Sequence, residues 1–194
     1  LYCAYKNRLH FKNGTRLSNE FVTGHADILD IDESGNVIDI PDIKNSWSRK
    51  TYLTQTSKGV TKGNYWQGQT YCWLYNSPKA TMVYCLVNAT MELINDAKYR
   101  MSRDLDLIDL ESSIDGRETA MQIERNMIFD MNLFLKEYRN PNLVTPLSDW
   151  NFDIPAARRI TELEILRSDS DIAEIQARIP VWRKWIADNL YPTL

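Results

Sequence analysis

The sequence is poor in cysteine, and Cys3, Cys72 and Cys85 form no CxxC pair. Any disulfide scheme leaves one of the three unpaired, so we expect neither a disulfide framework nor a structural zinc site. This cysteine usage is typical of a reducing compartment, and we expect a cytoplasmic protein.

Long apolar runs are also missing. The longest, such as MVYCLV, are far too short to span a bilayer, and no charged and then apolar signal segment opens the chain, so no membrane partner is expected. Glycine and proline are few and scattered, and no repeat or low-complexity tract interrupts the 194 residues. We therefore expect one domain over 1–194. The formal charge of −3 excludes a protein coated in basic residues, but it does not exclude local basic patches.

The order of apolar patterns predicts an α/β domain with a mixed sheet. Residues 1–12 resemble the tail of a helix, and DESGN predicts a turn between two strands. Pro180 should kink or divide the last helix. The predicted strands are 21–31, 37–44, 81–88 and 159–166, and the predicted helices are 62–76, 90–103, 117–139 and 169–190. The helix over 117–139 should bury one stripe, Met121, Ile128, Met131, Leu135 and Tyr138, and the last helix another, Ile172, Ile175, Ile179, Trp182 and Ile186.

Acidic residues extend the apolar faces of the first two strands. Strand alternation places Asp42 and Lys44 on one face with Ile40, and Asp27 on one face with Leu29. Two carboxylates close together in apolar surroundings repel each other and resist desolvation, and a hard divalent cation removes both problems. Lys44 would then lie beside the metal. Pro41 cannot donate to a sheet ladder, which predicts an edge strand or a distortion. The alternative is a surface ion pair.

Two neighbouring features favour the metal site. From Ile43 to Trp66 there are five basic residues and no acidic one, which is typical of a phosphate-binding rim, although a solvated basic loop has the same composition. Besides Lys44, these are Arg49, Lys50, Lys58 and Lys62. In YWQGQTYCWLY, Gln67 and Tyr71 are four residues apart and so share a helix face, which would equally suit core packing.

In this order the residues resemble the motifs of the PD-(D/E)xK nuclease superfamily, in the branch of RecB-type and lambda-type exonucleases. Asp27 is followed by a hairpin, then by Asp42-Ile43-Lys44, then by Gln67 to Tyr71 as QxxxY. The stretches NEFVTGHADILD, DIKNSW, YWQGQTYCWLYN and RITELEI are most similar to phage and prophage YqaJ-like exonucleases. The resemblance implies a restriction-endonuclease-like core with a mixed central sheet flanked by helices.

The resemblance also implies roles for these residues. Asp27, Asp42 and the carbonyl of Ile43 would be metal ligands for Mg²⁺, with Mn²⁺ as the alternative, and Lys44 would be the catalytic lysine. Gln67 and Tyr71 would hold the substrate or the geometry of the site, with Arg49, Lys50, Lys58 and Lys62 on DNA. Asp42 replaces the more usual glutamate. Family members tend to have an acidic residue or histidine on a helix before the first strand. We find no convincing equivalent and expect that upstream helix to be missing, with Glu20 and His25 as nearby substitutes.

The implied function is a magnesium-dependent exonuclease that resects double-stranded DNA for phage-type recombination, in the bacterial host cytoplasm if the chain is phage-encoded. The resemblance further suggests a single-strand annealing protein as partner and a ring-like homo-oligomer. Two alternatives remain open: a structure-specific or restriction-type endonuclease, and an inactive nuclease-like module that only binds DNA.

Overall fold

The computed structural model describes residues 1–190. The helices are α1 Tyr2–Lys6, α2 Arg49–Ser57, α3 Lys62–Tyr75, α4 Met91–Asp104, α5 Ile114–Met127, α6 Met131–Glu137 and α7 Asp169–Leu190. The strands are β1 Leu17–Ser18, β2 Thr23–Gly24, β3 Asp30–Ile31, β4 Val37–Asp39, β5 Pro41–Ser46, β6 Lys79–Leu86 and β7 Ile160–Leu166. Short 3-10 turns occupy Leu110–Ser112, Leu147–Asp149 and Ala156–Arg158. The predicted α/β class is confirmed.

The main sheet has three strands in the order β5-β6-β7, so β5 lies at an edge, as Pro41 predicts. Hydrogen bonds join Thr81 to Ile40 and Val87 to Ser46. Residue numbers rise together along β5 and β6, and these strands are therefore parallel.

The other side of β6 pairs in the opposite sense. The amide of Leu86 donates to the carbonyl of Arg159, and that of Arg167 donates to the carbonyl of Pro78. Since residue numbers run against each other, β6 and β7 are antiparallel, and the predicted mixed sheet is confirmed. The central strand β6 is buried from Ala80 to Leu86 without alternation, as expected of a strand covered on both faces.

Helix α3, which contains the QxxxY motif, has clear end signals in the sequence. The hydroxyl of Thr61 accepts a hydrogen bond from the amide of Asn64, which caps the first turn. Asn76 adopts a left-handed conformation at φ 50°, and Pro78 follows two residues later. The prediction of a helix ending before Ser77-Pro78 is confirmed.

The predicted strand over 21–31 is wrong in its middle. Within this range only β2 and β3, of two residues each, are strands, and Asp27 lies in an irregular segment between them. Asn13 forms hydrogen bonds with the backbone of this segment. Its amide donates to the carbonyl of Asp27, and its side chain donates to the carbonyl of Ala26. These carbonyls are therefore not available to a neighbouring strand.

The predicted single helix over 117–139 is also wrong, because α5 ends at Met127 and α6 begins at Met131. The side chain of Asn88 accepts from the amides of Phe129 and Asp130 and donates to the carbonyl of Asp130. Asp130 then caps α6 by accepting from the amide of Leu133. A distant amide side chain therefore interrupts a pattern that looks continuous along the chain.

Three smaller corrections concern other helices. The helix in residues 1–12 covers only Tyr2–Lys6. The basic stretch from Ile43 to Trp66, for which a solvated loop was the alternative interpretation, contains α2. Helix α7 runs unbroken through Pro180, so the proline does not divide it. On α7, Ile172 is buried, but Trp182 is 66% exposed, so the predicted stripe is covered only in its first half.

The chain divides into two compact units, each with its own apolar cluster. Unit 1 comprises 1–8, 45–57 and 84–161 and contains the cluster Ala89, Ile94, Ile128, Met131 and Phe134. Unit 2 comprises 9–44, 58–83 and 162–194 and contains the cluster Ala26, Ile40, Cys72, Tyr75 and Ala80. The expectation of a single domain over 1–194 stays a prediction.

Within residues 1–190, Cys3, Cys72 and Cys85 are free. None of the helices in this part of the chain combines the length and apolar character that crossing a membrane requires.

Candidate active site

The edge strand β5 positions Asp42 and Lys44. The side chain of Asp42 is only 4% exposed, and that of Lys44 is 30% exposed, so the lysine reaches the surface from a buried acid. The ammonium of Lys44 lies 2.6 Å from Oδ2 of Asp42. Strand alternation therefore brings the two charged groups of the DxK triplet together, as predicted.

Asp27 approaches the same strand from the irregular segment after β2. Its Oδ2 accepts a hydrogen bond from the amide of Ile43 at 3.1 Å. The amide and carbonyl of one strand residue point to the same edge, so the carbonyl of Ile43 also faces the open edge of β5. The arrangement joins both aspartates to one stretch of backbone.

Gln67 connects the remaining groups of the site. Its Oε1 accepts from the ammonium of Lys44 at 3.1 Å, and its Nε2 donates to Tyr71 at 3.1 Å and to Oδ1 of Asp42 at 3.4 Å. The hydroxyl of Tyr71 donates in turn to the carbonyl of His25 at 3.3 Å. Because the oxygen and the nitrogen of the amide have different partners, the side chain of Gln67 has one preferred orientation.

The electrostatics of the cluster favour an additional cation. Burial raises the pKa of Asp42, and the charge of Asp27 raises it further, whereas the ammonium of Lys44 lowers it. The net direction is upward, so the single lysine does not fully compensate the buried charge. Burial also raises the pKa of Tyr71, which keeps its hydroxyl protonated as a donor.

The donor set fits a hard cation that keeps some ligands from water or substrate. Oδ2 of Asp42 is buried and lies 2.6 Å from the Lys44 ammonium, but among residues 1–190 it accepts no well-directed hydrogen bond. No cluster of three or more His, Cys, Asp or Glu side chains suited to a metal occurs in this range. Two carboxylates and a backbone carbonyl suffice for Mg²⁺, which usually takes only one or two protein carboxylates. The residues therefore fit magnesium better than a metal that requires a closed protein cage.

Two residues that support the site were missed from the sequence. The hydroxyl of Tyr75 accepts from the amide of Ala26 at 3.1 Å and donates to the carbonyl of Thr15 at 3.1 Å. The side chain of Asn13 donates to the same hydroxyl and to the carbonyl of Ala26. Together they hold the backbone that carries Asp27. Tyr75 could have been found as the next position after Gln67 and Tyr71 on the helix face, but no pattern marks Asn13.

The other predicted residues have mixed outcomes. Arg49 and Lys50 begin α2 in unit 1, while Lys58 and Lys62 belong to unit 2, and all four are exposed. That these four residues form one DNA-binding surface stays a prediction. Glu20 is also exposed, and its carbonyl accepts a hydrogen bond from Arg183.

Comparisons with known proteins address the fold. No protein-family model and no curated protein matches the chain. A solved structure does: the phage-related exonuclease from Haemophilus somnus 129PT, with 22% identity and a TM-score of 0.60 over 97% of this chain. The chain has the fold of that exonuclease.

The match extends the agreement beyond the motifs. It includes the region from about 100 to 157, to which the sequence resemblance contributes little. An alkaline exonuclease from Laribacter hongkongensis, LHK-Exo, also matches, with 12% identity and a TM-score of 0.49. The chain spans 65% of the length of the first protein and 61% of that of the second.

Proposed function

We propose that the chain carries the catalytic site of a magnesium-dependent deoxyribonuclease that digests double-stranded DNA as an exonuclease. The observation that carries the proposal is the cluster of Asp27, Asp42 and Lys44 at the open edge of β5, with Gln67 bonded to both Asp42 and Lys44. The fold shared with a phage-related exonuclease supports it.

Each residue has a defined task in this proposal. Asp27, Asp42 and the carbonyl of Ile43 would hold Mg²⁺, or Mn²⁺ in its place. When bound, the metal supplies a nucleophile at neutral pH and neutralises charge on the leaving oxygen. Lys44 orients the attacking water and stabilises negative charge that develops on phosphorus. Gln67 keeps the ammonium in position, and Tyr71 anchors Gln67 to the backbone at His25.

The proposal extends to the setting in which such an enzyme works. Resection of duplex DNA exposes a single strand, so a single-strand annealing protein is the proposed partner, in phage-type recombination. A homo-oligomer is proposed as the active assembly. Light scattering of the purified protein tests the proposed oligomer separately. A fully active monomer would contradict the oligomer but not the proposed catalytic site.

Two alternatives have direct tests. A structure-specific or restriction-type endonuclease shares this site. Cutting of covalently closed circles at rates similar to linear duplex would contradict the exonuclease, because an exonuclease needs a DNA end. An inactive DNA-binding module is favoured by the lack of a third acidic or histidine side chain near the two aspartates within residues 1–190. It would show no turnover with Mg²⁺ or Mn²⁺.

The decisive experiment is Lys44→Met, measured by cleavage and by binding of labelled duplex DNA. Loss of one electrostatic contact made in the transition state typically costs about 100-fold in rate or more, whereas DNA binding should persist. Lys136→Met is the matched control, since Lys136 is exposed on α6 and has no role in the proposed site. Cleavage by Lys44→Met within about threefold of the parent would remove the lysine from the mechanism.

A further inference from the structure

Unit 1 contains a cavity of about 410 Å³ that none of the proposed catalytic residues lines. Its wall combines two guanidinium groups, three amides, one carboxylate and apolar side chains. A volume of this size lies within the range of small-molecule sites in proteins, roughly 300 to 1,000 Å³. The lining residues are Arg49, Gln122, Arg125, Asn126, Phe129, Asn151, Phe152, Asp153 and Ile154.

Arg125 is held in place but, within residues 1–190, has no anionic partner. Its guanidinium carbon lies 4.5 Å from the centre of the Phe152 ring, a cation–π contact that orients the planar group. Its Nε is buried, and within residues 1–190 no hydrogen-bond acceptor reaches it. Arg49, at the start of α2, is exposed and also lacks an ion pair in this part of the chain.

Two other cations of the same unit have anionic partners. Lys98 lies 2.7 Å from Glu124, and Nη2 of Arg159 lies 2.8 Å from Asp130, although Nε of Arg159 is also buried without a hydrogen-bond partner among residues 1–190. A buried donor without an acceptor is destabilising. Arg125 differs from Arg159 because it has no anionic partner within residues 1–190 and lines a cavity that a ligand can enter.

The carboxylate in the cavity wall does not meet this need. Oδ1 of Asp153 already accepts hydrogen bonds from the amide of Met131 at 2.8 Å and from the indole of Trp150 at 3.2 Å. Gln122, Asn126 and Asn151 are exposed at the cavity, and among residues 1–190 their side chains have no hydrogen-bond partners. The cavity therefore offers two guanidinium groups and neutral amide donors to one anionic ligand, and among the residues that the structure describes Asp153 is the one negatively charged side chain in its wall.

We propose that this cavity binds the phosphate group of a nucleotide or of a polynucleotide, with Arg49 and Arg125 on the phosphate oxygens. Guanidinium groups match tetrahedral oxyanions in geometry and stay charged at all physiological pH values. Anion binding follows from the cavity itself. That the phosphate belongs to nucleic acid rests on the proposed nuclease function.

The experiment titrates the whole chain, in EDTA to prevent cleavage, with inorganic phosphate, a 5′-deoxymononucleotide and a short duplex. The Nε–Hε proton resonance of Arg125, assigned by its loss in Arg125→Gln, should shift on binding, because this group gains an acceptor. Arg49→Gln and Arg125→Gln should each weaken binding about tenfold or more. Arg139→Gln is the control, an exposed arginine outside the cavity, and should change nothing.

The arms of the experiment distinguish the sources of the phosphate. Tight binding of the mononucleotide indicates a nucleotide site. Binding of duplex alone, with a salt slope reduced by about one unit in each variant, indicates a backbone phosphate of DNA. No shift with any probe, or equal affinities of Arg125→Gln and Arg139→Gln, overturns the proposal. If the protein binds phosphate in this cavity but cleaves no DNA, the proposed nuclease function is refuted and the proposed phosphate site is not.

Discussion

At the scale of single residues, the site depends on a buried carboxylate that remains charged at some cost. Asp42 is almost inaccessible to water, and its nearest cation, Lys44, is partly solvated and shared with Gln67. Because water screens the partly exposed lysine, its attraction offsets only part of the cost of desolvating Asp42. Under the proposed function, Asp42 is therefore a residue whose charge serves metal binding at a cost to the stability of the fold.

We expect Asp42→Asn to raise the thermal unfolding midpoint at pH 7 in EDTA. The pKa of Asp42 is higher in the folded protein than in the unfolded chain. Protonated Asp42 therefore stabilises the fold fully at a pH below the pKa of the unfolded chain, and this stability is lost as the pH rises through the pKa of the folded protein. Asparagine is neutral and nearly isosteric, so it avoids this loss, and its advantage should disappear in acid. Scanning calorimetry at both pH values measures it, with the exposed Glu33→Gln as control.

A metal arm completes this test. Magnesium or calcium should raise the unfolding midpoint of the parent, because a ligand that binds only the folded state stabilises it, but should not raise that of Asp42→Asn. A lower midpoint of the variant in EDTA would show that the contact with Lys44 outweighs the cost of burial.

Tyr75 supports Asp27 from one turn further along α3. Tyr75→Phe leaves the fully buried amide of Ala26 without its acceptor, and we expect a loss of about 1–3 kcal/mol in unfolding free energy. Displacement of the adjacent Asp27 should also raise the Mg²⁺ concentration for half-maximal cleavage. Urea denaturation and metal titration measure the two effects. Tyr99→Phe is the control, because Tyr99 is 62% exposed, and its effect should lie within about 0.5 kcal/mol.

At the scale of elements, two glycines in the first turns of helices differ in how closely other atoms approach them. An added Cβ at Gly116, in the first turn of α5, would lie 1.8 Å from the carbonyl oxygen of Leu110. At Gly63, in the first turn of α3, nothing lies within 4 Å. Helix propensity alone would favour alanine at both positions, so the pair separates propensity from packing.

We expect Gly116→Ala to destabilise the protein by more than about 2 kcal/mol, because backbone and not a mobile side chain would have to move. Gly63→Ala should stabilise it by about 0.5–1 kcal/mol. Urea unfolding of both variants gives the two free energies. Similar values of one sign would contradict the role assigned to the Leu110 carbonyl.

At the scale of the whole molecule, the open question is whether the two contact units unfold together. The strands β5, β6 and β7 each have residues in both units, since the unit ranges change within them. Unfolding confined to one unit would therefore have to stop partway along each of these strands. This continuity favours the single domain expected from chain length.

We expect one calorimetric transition, with equal van't Hoff and calorimetric enthalpies. Gly116→Ala in unit 1 and Tyr75→Phe in unit 2 should both shift this same transition. Two transitions, each responding to only one of the variants, would show two independently stable domains.

The sequence by itself determined which side chains of the candidate site share a face of a strand or a helix. Strand alternation links Asp42 to Lys44, and helical spacing links Gln67 to Tyr71, because both periods are properties of the local backbone. The bounds of α3, α4, β7 and α7 followed from the same local signals, caps and prolines among them.

Only the tertiary structure decided how these pieces meet. Asn13 and Tyr75 hold the segment of Asp27 from far along the chain, and Asn88 divides a helical pattern at Phe129 and Asp130. Each of these is a hydrogen bond between residues more than ten positions apart, and no periodic pattern encodes such a partner. The cavity of Arg125 has the same origin, since its wall is assembled from segments that the sequence keeps apart.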